Sequence, residues 1–210
     1  MNELNILDYL LIAFSIAISW RVYNAAHPPA AGAEPSARQP APAPGSSSVH
    51  GPTPDPDSDA PLALTLKRIA ASCRYSSIDT FIDGARRVYE TVIAAFAAGD
   101  MVSCTDLLST TLRESFASAI AERAARGETV ETMFIGFRSV TIEDAGRDQG
   151  YAWIDVRFVA ELVSATRDRD GRVIAGSPDR VAVTSEIWTF ERDLRAAQQG
   201  WVLVATDDDA

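Results

Sequence analysis

Two carboxylates, Asp155 and Glu186, fall within stretches that alternate between apolar and polar residues. A carboxylate on a strand can act as a general acid or base if an apolar site raises its pKa. Few other chemistries are open to this chain. Both histidines, His27 and His50, precede position 62, and the 149 residues from Leu62 to Ala210 contain none. A histidine-free domain excludes Ser-His-Asp and Cys-His nucleophile systems and a His-ligated zinc site. Cys73 and Cys104 make no CxxC motif and are too few for a disulfide framework, so both read as packing thiols. Asp155 alternates with Arg157, which puts it on the wetter strand face. The reading is therefore a non-enzyme with no metal and no cofactor. Acid–base catalysis stays open as an alternative that requires a buried carboxylate facing a tyrosine or a second carboxylate.

Binding is the other possibility, and charge narrows it. The 210 residues carry 29 acidic against 19 basic side chains, a net charge of −10, and Leu62–Ala210 is itself acidic, 23 against 17. Nucleic-acid binding needs clustered cations and is not expected. Ten of the 11 prolines lie between Pro28 and Pro61, so they describe one segment and not the whole protein.

Three regions follow: 1–24, 25–61 and 62–210. The 18 residues Ile6–Tyr23 are apolar apart from Asp8, Arg21 and two serines. That is just long enough for a transmembrane helix, for which about 17–25 residues suffice. Tyr9, Trp20 and Tyr23 lie towards its ends, where aromatic rings favour the headgroup level. A cleaved signal would begin with cations, whereas this segment begins with Asn2 and Glu3. The expectation is an uncleaved single-pass anchor, with Arg21 keeping the following domain on the cytoplasmic side. Ala25–Pro61, rich in Pro, Ala, Ser and Gly, reads as a disordered linker with a reach of roughly 30–37 Å.

Within 62–210, Leu62, Leu66, Ile69, Ala70 and Cys73 share one helical face, and Lys67, Arg68 and Arg74 are the charges of that stretch. Two placements are open for this helix: flat on an anionic lipid surface, or packed on the domain. A second helix starts at a Ser76/Asp79 capping box, carries Phe81, Ala85, Val88, Tyr89, Val92, Ile93 and Phe96, and stops at Gly99. Its internal Gly84 suggests that a neighbour packs closely there. Asp100 opens a short turn to Leu107 and Leu108, and Thr111 with Glu114 caps a third helix carrying Leu112, Phe116 and Ile120 as far as Gly127. Arg123 and Arg126 near its end complement the helix dipole. Beyond Gly127 the period is two. Met133, Ile135 and Phe137 take one face and Val140 and Ile142 the other, with a bulge near Arg138 and Ser139. Ile154, Val156 and Phe158 form the next strand face, Asp170-Gly171 a hairpin turn, Val173 and Ile174 the returning strand, and Val181–Glu191 and Trp201–Ala205 two further strands. Helices followed by antiparallel strands predict an α+β domain, with the helices on one face of a curved sheet.

The run Phe81-Ile82-Asp83-Gly84-Ala85, then Tyr89, Ile93, Phe96, Gly99-Asp100, Leu107-Leu108-Ser109, Phe116 and Ile120-Ala121-Glu122-Arg123, resembles the Tim-forty-four-like domain family. That family comprises bacterial relatives of an adaptor of the mitochondrial inner-membrane translocase. Trp188-Thr189-Phe190-Glu191-Arg192 and Gly200-Trp201-Val202-Leu203 are similar to it as well. The resemblance covers Leu66 to Thr206. It implies a cone-shaped fold like that of nuclear transport factor two, with helices wrapped by a bent antiparallel sheet around an apolar pocket. It also implies association with a bacterial inner membrane, contact with anionic lipid, protein partners, and a scaffold role near protein translocation or membrane-protein assembly. The long N-terminal region through which the mitochondrial adaptor recruits a chaperone is replaced here by anchor and linker.

The expectation is a membrane-anchored, non-catalytic adaptor. Leu62, Leu66, Lys67, Arg68, Ile69 and Arg74 are the candidate membrane surface, since they occupy the place of the family's membrane-recruiting helices. Trp153, Phe158, Trp188 and Trp201 are the candidate pocket lining, with an acyl chain or apolar peptide as the alternative ligand. Aromatic residues on strands serve equally as plain core, and an oligomer formed through the sheet is open.

Overall fold

The computed structural model describes residues 60–73, 77–148, 150–196 and 200–208. The anchor at 1–24 and nearly all of the 25–61 linker lie outside them, as do Arg74 and Ser76. Among the described residues no helix is long and apolar enough to cross a membrane.

Three helices precede four strands: α1 (Ala60–Ser72), α2 (Ile78–Ala98), α3 (Thr110–Arg126), β1 (Thr129–Asp148), β2 (Tyr151–Arg167), β3 (Val173–Asp193) and β4 (Val202–Asp208). A single 3₁₀ turn, Val102–Cys104, links α2 to α3. The strands form one antiparallel sheet in sequence order, and the helices pack on it, which is the α+β arrangement that the change of period predicts.

The helix starts differ from expectation. α1 begins at Ala60, so Pro61 sits in the first turn, where its missing N–H costs no hydrogen bond. The cap of α2 is Ser77, whose side chain accepts from the Thr80 amide; the cap of α3 is Ser109, which accepts from Leu112. Neighbouring Ser and Thr residues compete for that role, and the one whose oxygen reaches an orphan amide takes it. The glycine stops are as expected: Gly99 and Gly127 are left-handed, with φ of 75° and 72°. Arg123 and Arg126 lie in the last turn of α3 as expected, and Arg123 serves a second helix end as well. Its Nη2 donates to the Phe96 and Ala97 carbonyls of α2 at 3.0 and 3.1 Å, with the guanidinium 5.3 Å from the Phe96 ring centroid. A β-carbon on Gly84 would meet nothing within 4 Å, so the close neighbour expected there is absent.

In β1 the register with β2 slips three times, between Phe134 and Gly136, Phe137 and Ser139, and Ile142 and Asp144. The middle slip is the bulge read near Arg138 and Ser139. The first slip overturns the expected parity, because Phe134 and Phe137 turn towards the core while Met133 and Ile135 are exposed. The two separate strands expected at Val173 and Val181 are one strand, β3, which holds together across a bulge where the register jumps from Leu162↔Ala182 to Ser164↔Ser177. Gly176 makes that jump possible, since its φ is 69° and a β-carbon there would run into the Ser164 carbonyl.

These two glycines respond oppositely to alanine. Gly176→Ala should lose roughly 2–4 kcal/mol through left-handed strain and overpacking. Gly84→Ala, in a helix with free space, should gain about 0.5–1 kcal/mol. Urea unfolding of both variants checks the pair of signs.

Candidate functional site

α2 reaches the sheet through Phe81, Ala85, Tyr89, Val92 and Ala95, spaced so that one stripe is buried. Tyr89 lies at the centre. Its ring centroid is 4.9 Å from Phe158 of β2, 4.6 Å from Trp188 of β3 and 5.3 Å from Phe137 of β1, so one phenol ties a helix to three strands. The strand periods deliver the other rings: Ile154, Val156, Phe158, Ala160 and Leu162 of β2 are buried, as are Glu186, Trp188 and Phe190 of β3.

That parity carries a carboxylate inside. Glu186 is 3 % exposed, and Oε2 accepts from the Trp188 indole N–H at 2.8 Å. Oε1 accepts a long hydrogen bond from the Tyr89 hydroxyl, 3.5 Å, and Thr184 also bonds this carboxylate. Across the ladder Glu186 faces Phe158 on one side and Asp208 on the other. Burial pushes the Glu186 pKa up to about 7; the Asp208 charge pushes the same way, against the hydrogen bonds from Trp188, Tyr89 and Thr184. The Tyr89 hydroxyl is pushed up as well, first by burial and then by the Glu186 charge. Two rungs further, opposite Trp188, Thr206 is 1 % exposed and its Oγ1 has no partner. The buried carboxylate facing a tyrosine that the acid–base alternative requires is therefore present, but it is enclosed by the rings of Phe158 and Trp188.

The four candidate pocket residues separate. Phe158 and Trp188 meet in this interior, with centroids 5.6 Å apart. Trp201 packs at the other end of α2, 4.9 Å from Phe81. Trp153 lies on the opposite face of β2, alternating with buried Ala152 and Ile154, and its indole covers Gly146, where a β-carbon would overlap it. Asp155 shares that outer face, bonded to Thr189, with its pKa raised by partial burial. Both cysteines are buried and free.

Of the candidate membrane surface, Ile69 is buried and Leu62 and Leu66 pack against the core, so the apolar face of α1 is occupied by the domain. Removing that face from water stabilises the fold. Lys67 and Arg68 stay exposed, with Leu64 beside them.

Sequence reasoning missed a patch on the outer face of the sheet. Met133 pairs with Val163, and Val183 pairs with Glu161, which lies beside Gly136 and the Ile135 bulge. Met133 is 63 % exposed, Ile135 49 % and Val181 57 %, and Val183 is exposed too. The Arg167–Glu131 ion pair borders them, and the Arg138–Glu161 pair lies between the β1 and β3 members. A register slip was needed to turn Met133 and Ile135 outward, and only the odd parity of Phe134 hinted at it.

Fold and site together define a helix-on-sheet α+β domain with a closed aromatic interior and an apolar patch on the outer face of its sheet. The chain belongs to the Tim44-like domain family, whose model matches residues 62–208, and the resemblance read in the sequence is that family. Domains of this family associate with membranes and protein partners and are in general non-catalytic. Comparison with curated proteins gives no match. Among solved structures, the intermembrane space region of the chloroplast protein ARC6 is similar at 12% identity and a TM-score of 0.33, covering 75% of this chain and 98% of that one.

The sign of the pH dependence follows from Glu186. Its folded pKa lies above the ordinary 4.5, so the folded state keeps a proton that the unfolded chain has lost. Stability should fall as pH rises from about 4.5 to about 7, by on the order of 3 kcal/mol from this group. Glu186→Gln should remove that component, seen as the difference between wild-type and variant unfolding free energies across the range.

Proposed function

We propose that the protein is a membrane-anchored, non-catalytic adaptor or scaffold in protein translocation or membrane-protein assembly at a bacterial inner membrane. Ile6–Tyr23 is the single-pass anchor, the proline-rich segment is the tether, and the domain works on the cytoplasmic side. The observation that carries the reading is the set of exposed apolar side chains Met133, Ile135, Val181 and Val183 on the outer face of the sheet, because exposed apolar surface among polar groups marks an interaction site. The partner that fits it is a protein offering an apolar segment. Lys67 and Arg68 lie close to where the tether enters the domain, within its reach of an anionic headgroup layer.

Two alternatives have less support. An acyl chain or apolar peptide in the interior would have to displace Tyr89, Phe158 and Trp188, which are packed ring on ring. A substrate for Glu186 would have to do the same.

Two measurements test the reading. Full-length protein should sediment with membranes and a chain lacking residues 1–23 should not; a truncated chain that stays bound would remove the anchor. A photo-crosslinker at Val183 should capture a defined protein partner in intact cells, and Met133→Glu should abolish the capture while leaving the near-ultraviolet circular dichroism unchanged. Equal capture from Thr111, an exposed position on α3, would contradict a patch-specific contact.

A further inference from the structure

The last rungs of the sheet combine a buried acid, a second acid and a weakly held edge. The β3–β4 ladder ends in Trp188↔Thr206, Ile187↔Asp207 and Glu186↔Asp208. Directly paired residues lie about 4.5–5.5 Å apart, so Glu186 and Asp208 are a like-charge pair whenever both are ionised. The charges and titratable groups facing Glu186 are Tyr89 from α2 and Asp208 from β4; its other neighbours are Thr184 and Trp188 from β3 and Phe158 from β2. None of these is a cation.

β4 is an edge strand, fastened on its free side near its start. There the Leu203 amide donates to the Leu107 carbonyl at 2.8 Å, and the Leu203 carbonyl accepts from the Ser109 amide at 2.9 Å. Among the described residues, the backbone hydrogen bonds that hold Thr206–Asp208 are those of the β3 ladder. The closed arrangement also strands the Thr206 hydroxyl, buried and without a partner, a cost that opening to water would relieve.

We propose that Thr206–Asp208 is a proton-controlled flap, zipped onto β3 while Glu186 is protonated and released when Glu186 ionises. Leu203 is the hinge. Ionisation puts an uncompensated charge among aromatic rings and opposes it to Asp208, and the relief is to hydrate both carboxylates by parting the last three rungs. The upward displacement of both pKa values by burial agrees with this. Release uncovers the β3 edge from Glu186 to Trp188 and gives water and ligands access to the Tyr89 and Trp188 rings, so proton occupancy governs entry to the interior. The device does not depend on the adaptor reading.

Hydrogen exchange of the full-length protein in detergent, corrected for the intrinsic pH dependence of exchange and followed from pH 5.5 to 8.5, tests it. The Thr206–Asp208 amides should lose at least about tenfold protection relative to β2 as pH passes through about 7. Glu186→Gln should stay protected throughout. Asp208→Asn should keep the transition but move it to lower pH, because a like charge is gone. Constant protection of wild-type β4 across the range would overturn the proposal, and so would an unchanged loss in Glu186→Gln. Should Glu186→Gln fail to fold, Asp208→Asn decides: an unmoved midpoint overturns the proposal.

Discussion

A carboxylate buried without a cation constrains the rest of this domain. Glu186 shares the inward parity of Trp188 and Phe190, so it cannot leave the core without a one-residue slip that would expose both rings. The structure accommodates it by hydrogen bonding, through the indole N–H, the Tyr89 hydroxyl and Thr184, and by a pKa high enough to keep it largely neutral below about 7. Tyr89 is thereby both the central packing ring and a donor. The helix that carries it is fixed in rotation as well as position.

Around that centre, local rules and tertiary packing agree for most elements. α2 has a clean apolar stripe and a glycine stop, and its C-terminal carbonyls are also bonded by Arg123 of α3. β1 departs from a regular ladder three times, and these departures turn phenylalanines inward and Met133 and Ile135 outward. The same irregularity thus contributes Met133 and Ile135 to the outer apolar patch. The enclosed interior and the exposed patch are two consequences of one bulged strand.

Much of this was legible in the sequence. The 3.6-residue period of α2, the stops at Gly99 and Gly127, the buried row from Ile154 to Phe158 and the outer placement of Asp155 follow from spacing alone. Spacing also carried the inward parity of Glu186 with Trp188, although its partners Tyr89 and Asp208 are 97 and 22 positions away and become neighbours only in the fold. The amphipathic face of α1 could bind lipid or the domain equally well until the neighbouring β1 was in place. Trp153 has the composition of a core residue, yet it lies outside because Gly146 across the ladder leaves room for its indole. Bulges are set by the pairing of two strands, so neither strand's own sequence locates them all.

The ionisation of Glu186 can be read directly by carbon-13 NMR of selectively labelled glutamate side-chain carboxyls, assigned by comparison with Glu186→Gln. The structure predicts that the Glu186 carboxyl resonance titrates near pH 7. A Glu186 resonance that titrates at the ordinary glutamate value of 4.5 would contradict a buried carboxylate at the centre of the fold.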